Sequence, residues 1–308
     1  MSGITVSIFM LTYNQEAFIA KAIEGVLMQK TSFRYQLVIG EDCSSDATRQ
    51  ICESYAAQYG DRIKLLPSPA VNAGLITNYM RTITACDGTY IAICDGDDYW
   101  IDENKLKKQV GFLNCNPDFS IVYTAVNKLF TDGTLESYGY SFNKTTLIFE
   151  DLIHHNSIFS VTALFKNPQL QGTGIPAWIK NFPFGDWQTY LWILKDGSKV
   201  HYMDEVTAAY RMNIGVSFGI MKKNSTFIEV LVRILQDVLA DANFKHKKQV
   251  VEASLFDRQK DLISSYNREK DYLKGGRLFL SILRTTRNKI YLVKFYLYSL
   301  HRSITWLI

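Results

Sequence analysis

The residues best equipped for chemistry stand in one short run, Asp95-Gly96-Asp97-Asp98. Carboxylates packed so closely repel one another and cost stability unless something positive joins them. Hard oxygen donors suit a divalent cation, magnesium or manganese. A pyrophosphate bridged by that cation would complete the shell, the metal acting as a Lewis acid on a departing diphosphate. Gly96 lets backbone approach a ligand closely. The same run would also serve as an acidic turn before the helix that starts near Asp102, so its surroundings have to decide.

Those surroundings are strands alternating with helices. Val6 to Leu11 reads as a strand, followed by a polar turn and an apolar helical stripe from Phe18 to Leu27. Gln36–Gly40, Arg62–Leu66 and Tyr90–Cys94 read as further strands, with helices over Ile51–Tyr59 and Leu75–Ala85. Such alternation predicts an α/β fold, a mostly parallel sheet with helices on both faces. Ligands of such sheets bind beyond the carboxyl ends of the strands, where the turns after Leu11, Gly40 and Cys94 must gather. From Phe119 to Phe165 the pattern is strand-like and less regular; Gly172–Pro183 reads as a loop, Phe184–Leu194 as a helix and Lys199–Tyr210 as a strand. After Gly219 the composition becomes helical and charged. This predicts a catalytic domain over 1–220 and a helical C-terminal extension over 221–308.

Composition excludes several classes. The 308 residues are 47% hydrophobic and 21% charged, enough for a normal core. A net charge of +4 without an aromatic-interleaved basic stripe predicts no nucleic-acid partner. The five cysteines form no C-x-x-C pair and no leader-like run opens the chain, which together predict a reduced, cytoplasmic protein. No G-x-G-x-x-G, G-x-x-x-x-G-K-[ST] or H-x-x-x-H occurs, which removes dinucleotide, P-loop and zinc-hydrolase readings.

Five segments in order resemble family 2 of the inverting glycosyltransferases, which have the GT-A fold. Val6 to Asn14 resembles the family's first nucleotide-contacting loop, and Glu41-Asp42-Cys43-Ser44-Ser45-Asp46 its D-D-G-S-x-D segment, with Glu for the first Asp and Cys for Gly. Asn72-Ala73-Gly74 resembles the N-x-G turn, and Gly88-Thr89-Tyr90-Ile91 leads into Asp95-Gly96-Asp97-Asp98, the D-x-D element. The resemblance implies a nucleotide-sugar donor, most commonly a UDP-sugar, held with Mn2+ or Mg2+. Thr12, Tyr13, Asn14 and Glu16 would border base and ribose, Asp42 would bond the base, and Asn72 and Gly74 would close that side. Asp95 would meet ribose or sugar, with Gly96 beside it, and Asp97 would be the principal metal ligand, helped by Asp98. Phe184-Gly185-Asp186-Trp187 resembles the catalytic-base motif, making Asp186 the carboxylate that deprotonates the acceptor hydroxyl. Tyr210-Arg211-Met212, followed by Ser217, resembles a late signature in which Arg211 would meet the diphosphate.

The expected activity is therefore inverting transfer to a hydroxyl of a glycan or lipid-linked glycan, as in bacterial surface-polysaccharide assembly. A non-catalytic nucleotide-sugar-binding module of such an assembly is the alternative. A nucleotidyltransferase would want a glycine-rich basic loop where Thr12 to Glu16 stand. Ile290, Val293, Leu297, Leu300, Ile304 and Leu307 recur at helical spacing among basic residues. That helix suits peripheral contact with the inner face of a membrane or packing on protein, and a homo-oligomer stays open.

Overall fold

A computed structural model describes residues 3–139, 144–172, 174–215, 219 and 222–305. Ser217, Trp306 and Leu307 lie outside the described residues. The chain divides into two compact units, Met1–Ser217 and Phe218–Ile308.

In the first unit the central strand is β1 (Val6–Thr12), buried along its whole length. It is followed by α1 (Ile19–Leu27), β2 (Tyr35–Glu41), α2 (Thr48–Gln58), β3 (Ile63–Leu65), α3 (Leu75–Thr84) and β4 (Tyr90–Ile93). β5 (Tyr99–Trp100), α4 (Lys105–Cys115) and β6 (Phe119–Leu129) come next. β7 (Leu135–Tyr138), β8 (Thr146–Leu147), the single turn α5 (Phe149–Leu152), β9 (Leu164–Lys166), α6 (Asp186–Leu194) and β10 (Lys199–Arg211) complete the unit.

The sheet runs β3-β2-β1-β4-β9-β6-β10-β5, with β7 on β6 and β8 on β10. The β3-β2-β1-β4 half is parallel, as the alternation of strands and helices requires. β9 is inserted antiparallel between β4 and β6, and β10 lies parallel to β6. The expected α/β class, mostly parallel sheet and helical extension are all observed. The irregular 119–165 stretch proves to be one long strand and three short ones around a helical turn, and the 172–183 loop contains a 3₁₀ turn over Ala177–Asn181.

Alternation along β1 sends Val6, Ile8 and Met10 into the core shared with Ile19, Ile23 and Val26 of α1 and Leu106 and Val110 of α4. Each such side chain, fully buried, contributes about 1.5–3 kcal/mol. Phe9 faces the opposite way and meets the Tyr79 ring of α3 edge-on at 5.0 Å. Gly25 lets α1 rest on β5, since a β-carbon there would lie 2.9 Å from the Trp100 backbone.

The second unit contains α7 (Asn224–Ala240), α8 (Lys248–Arg268), α9 (Tyr272–Thr285) and α10 (Lys289–Thr305). Ile228 and Val232 of α7 pack with Leu262 and Tyr266 of α8; Ile263 of α8 packs with Ile282 of α9 and Leu292 of α10.

Candidate active site

The polar turns do gather at the carboxyl edge of the parallel strands, in two groups on either side of β1. On the β2 side, the turns after β1 and β2 are stitched together. The Asn14 N–H donates to Ser44 Oγ at 3.0 Å, and Asn14 Oδ1 accepts the Ser45 N–H at 2.8 Å. The Gln15 and Glu16 N–H groups donate to Thr48 Oγ1 and Asp46 Oδ2, and Glu16 Oε2 accepts the Ala47 N–H at 2.8 Å. Asp42, buried, accepts the Ala73 N–H on one oxygen at 3.0 Å and the Gly74 N–H on the other at 2.9 Å. The Asn72 amide donates to the Asp42 carbonyl. Gly74 starts α3 at a φ of +85°, which glycine adopts freely.

Glu41 next to it is fully buried. Burial alone would push its carboxyl up. The Ser44 N–H and hydroxyl, the Ser68 hydroxyl and Arg49 outweigh that and leave it below the usual carboxylate range. Asn14, Glu16, Asp42, Asn72 and Gly74 thus form a frame with its hydrogen bonds already made. Tyr13 stands at its tip, 42% exposed.

On the β4 side the acidic run is bracketed by two strands. The Gly96 N–H donates to the Leu11 carbonyl at 2.8 Å, extending the run alongside β1. Gly96 is confined, since a β-carbon would lie 2.5 Å from Gln15 Oε1 and 2.8 Å from Thr12 Oγ1. Beyond the run, β5 pairs with Ala208 and Ala209 of β10, which brings the end of β10 over the acids. The Arg211 N–H donates to Asp98 Oδ1 at 2.8 Å, so buried Asp98 has one oxygen engaged in holding that strand. The Arg211 guanidinium stacks 4.4 Å from the Phe18 ring centroid and 5.5 Å from that of Tyr99. Gly215, at a φ of +85°, approaches Asp97 so closely that a β-carbon would lie 3.0 Å from its Oδ2.

Asp186 opens α6 and joins this second group. Its Oδ2 accepts from the Asn156 amide at 3.3 Å, and Asn156 Oδ1 accepts the Ile158 N–H. α6 is held to α3 by the 2.9 Å contact of the Tyr79 and Thr189 hydroxyls. Gly185 permits this approach, because a β-carbon there would strike the Tyr79 ring at 2.7 Å.

The electrostatics differ sharply from those of the frame. Asp95 is pushed up to about 8, chiefly by loss of water, then by the Asp97 charge and more weakly by Asp186, against one long bond from the Leu11 N–H. Desolvation likewise raises Asp97, Asp98 and Asp186, and Arg211 opposes it at Asp97 and Asp98. Asp95, Asp97 and Asp186 keep a narrow opening to solvent, but protein encloses them enough to strip most of their hydration. Among the described residues, seven buried side-chain polar atoms lack a partner, and they include Thr12 Oγ1, Gln15 Oε1, Arg211 Nε and Tyr190 Oη. Tyr190 feels the charges of Asp186 and Asp95, and Tyr210 those of Asp98, Asp97, Asp186 and Asp95 in turn. Desolvated acids and orphaned polar atoms at one strand edge have the character of a site made for a charged ligand.

The donor set fits a hard cation, being all oxygen. Among the described residues no three His, Cys, Asp or Glu side chains group as a complete metal cage. A cation here would take one or two carboxylates, with phosphate and water filling the rest, which is the habit of magnesium sites. Two open grooves of about 590 and 710 Å3, lined by residues such as Tyr55 and Tyr59 or Arg34 and Arg62, lie away from these acids.

Gln15, Tyr79, Asn156 and Tyr190 are site neighbours for which the motifs supply no role. Gln15 directly follows the first quoted loop and Asn156 a histidine pair, but Tyr79 and Tyr190 read in sequence as ordinary apolar-face residues of helices.

The family model for glycosyl transferase family 2 matches residues 7–167, just over half the chain, and the chain belongs to that family of sugar-transferring enzymes. The matched region takes in nearly all of β1 through β9, with the frame and the acidic run, and ends before Asp186 and Arg211. The chain is 27% identical over 208 residues to the putative teichuronic acid biosynthesis glycosyltransferase TuaG of Bacillus subtilis, covering 67% of this chain and 79% of that one. An S. aureus TarS fragment solved with UDP-GlcNAc superimposes with a TM-score of 0.66 at 18% identity, over 97% of this chain and 90% of the other. The Pyrobaculum calidifontis mannosyltransferase PcManGT, solved with GDP-Man and Mn2+, gives 0.62 at 15% identity, over 98% and 82%. These likenesses show the GT-A fold. The chain spans only 38% of the length of its Mycobacterium tuberculosis relatives, at 37% identity.

Proposed function

We propose that the chain transfers a sugar from a nucleoside-diphosphate donor, UDP-linked in the first instance, to a hydroxyl of a glycan or lipid-linked glycan, with inversion in a single displacement. The observation that carries this reading is the meeting of Asp95, Asp97, Asp98, Asp186 and Arg211 at one strand edge, with polar atoms left unpartnered around them. TarS and PcManGT, of the same fold, were solved with a UDP-sugar and with a GDP-sugar plus Mn2+ respectively, which supports a nucleotide sugar at the matching edge.

Within that reading each residue has a task. Asp186 accepts the proton of the acceptor hydroxyl. The acceptor oxygen bonds the anomeric carbon from one face while the bond to the diphosphate breaks on the other, and the electron pair leaves with the nucleoside diphosphate. Desolvation keeps Asp186 above the ordinary carboxylate range, which makes it a stronger base. The Asn156 amide fixes its orientation. Arg211 meets the negative charge that grows on the leaving diphosphate. Thr12 and Tyr13 border base and ribose, while Asn14, Glu16, Asp42, Asn72 and Gly74 hold the turn that shapes this pocket. Asp97, with Asp95 or the free oxygen of Asp98, would hold Mn2+ or Mg2+, which supplies charge neutralisation at the diphosphate.

A non-catalytic binding module would have no use for a desolvated, oriented carboxylate at Asp186, so transfer is the stronger reading. Calorimetric titration with UDP, GDP and dTDP, each with and without manganese, tests it. Metal-dependent binding of one nucleotide, lost in Asp97→Ala, is the expected result. Binding of none of them would overturn it.

A further inference from the structure

We infer that the second unit docks on an anionic lipid bilayer through the outer sides of α9 and α10, lying in the interface without crossing it. This does not depend on the transferase reading.

The inference starts from an uneven charge. From Tyr272 to Ile308 the chain contains seven Lys and Arg and no Asp or Glu. The net charge of +4 therefore divides into +7 in these 37 residues and −3 in the preceding 271. Among the described residues Arg277, Arg284, Arg287, Lys289 and Lys294 form no ion pair. Lys274 pairs with Glu229 and Asp271, but those five are not there to neutralise acids of their own unit.

Both helices turn their inner sides to α8. Ile282 and Leu292 pack with Ile263, Gly275 lies against the Asn267 side chain, and the Asn267 amide donates to Ser299 Oγ at 2.9 Å. The stacked rings of Phe279 and Tyr296, 4.2 Å apart, set the two helices side by side. The outer sides then point away from α8. On α9, Leu273, Arg277, Leu280 and Arg284 recur at i, i+4, i+7 and i+11, one helical stripe of alternating aliphatic and basic residues. On α10, Ile290, Leu297 and Ile304 follow at steps of seven and are 72, 60 and 60% exposed. Lys294 and His301 lie beside that stripe, and Arg302 near Tyr298, which is also 60% exposed.

Exposed aliphatic residues in register, with basic residues between them and no Asp or Glu in either helix, have the composition of an interfacial helix face. The apolar stripe enters the boundary of the acyl chains and the long basic side chains extend to the headgroup phosphates. Charge chooses this occupant over a second copy, which would set one +7 surface against another. No helix among the described residues is long and apolar enough to cross a membrane, so the contact is parallel to the surface.

The test is flotation of the full chain with vesicles of phosphatidylcholine alone and of phosphatidylcholine with about a third phosphatidylglycerol. Co-flotation with the anionic vesicles, at least tenfold weaker with zwitterionic ones and lowered by salt, is expected. The paired exposed substitution Ile290→Asp and Leu297→Asp should abolish it. The pair Arg277→Gln and Arg284→Gln should weaken it several-fold, and all should leave the melting temperature near that of the parent. Flotation unaffected by these substitutions, or absent with anionic vesicles, would overturn the inference. So would a sedimentation dimer that only the Ile290→Asp, Leu297→Asp pair dissociates, since that would assign the face to a second copy.

Discussion

Two acidic groups flank β1 at the same sheet edge, and only one of them is at rest. Around Glu41, Asp42 and Asp46, the carboxylates accept hydrogen bonds from backbone N–H groups, joined by serine hydroxyls and Arg49. Around Asp95, Asp97 and Asp186, loss of water outweighs the hydrogen bonds the acids accept, among them those from Leu11, Gln15, Asn156 and Trp187, and the carboxyls are raised, Asp95 further by the Asp97 charge. Both segments resemble family motifs in sequence, the first with two departures. What separates them is how far hydrogen bonds offset the loss of water. A carboxylate whose bonds outweigh its burial maintains shape, whereas one that burial leaves raised is available to a ligand.

The largest effect expected from this contrast is at Asp186. Asp186→Asn should lower kcat by about 10²–10⁴, the usual contribution of a general base, while calorimetry finds nucleotide binding nearly unchanged. In the parent, kcat/KM should rise with pH along a limb lying above the ordinary carboxylate range, because Asp186 is raised and must lose its proton to act. Equal loss of binding and turnover in the variant would place Asp186 in the donor pocket instead.

The resting group should answer in stability rather than turnover. Asp42→Ala leaves two N–H groups, those of Ala73 and Gly74, without their charged acceptor in a buried place. Unfolding in denaturant should show a loss of about 2–3 kcal/mol. A loss below half a kcal/mol would erase the distinction drawn between the two groups.

The ligand-free β4-side group should show the opposite sign. Asp95 holds its proton more tightly folded than unfolded, so its contribution favours the folded chain at low pH. That contribution fades as pH rises from the ordinary 3.8 to about 8. Across that window the parent should lose stability relative to Asp95→Asn by at most about 1.4 kcal/mol per pH unit. Paired melting curves of the two proteins at several pH values measure it, and a parent that gains on the variant as pH rises would contradict the raised carboxyl.

Much of this was legible in the residues and some was not. The strand and helix periods of the first third fix the parallel half of the sheet and the edge where the turns meet. The acidic run and Asp186 stand out by type and neighbours. The division of labour among the acids does not, because it depends on partners distant in the chain. Arg211 reaches Asp98 across 113 positions, and Asn156 reaches Asp186 across 30. The antiparallel insertion of β9 is also hidden, since a three-residue strand has no period of its own to read. Gly96 suggested room for a ligand, but the structure shows that Gln15 and Thr12 fill that space.

The smallest effect concerns Cys43, which replaces glycine in the resemblance. Its φ is +59°, in the left-handed region where a side chain costs about 1–2 kcal/mol. The turn enforces that conformation: Asp42 before it is tied to Ala73 and Gly74, and the Ser44 N–H after it donates to Glu41 Oε1 at 2.6 Å. Cys43→Gly would release the strain but give the unfolded chain more freedom, a cost of about 0.5–1 kcal/mol. The balance should be a gain of about 0.5–1 kcal/mol in unfolding free energy, with nucleotide affinity unchanged because the frame's hydrogen bonds remain. A loss of stability would mean that the Cys43 side chain makes contacts worth more than its backbone strain. That outcome would turn the departure from glycine from a tolerated cost into part of the frame itself.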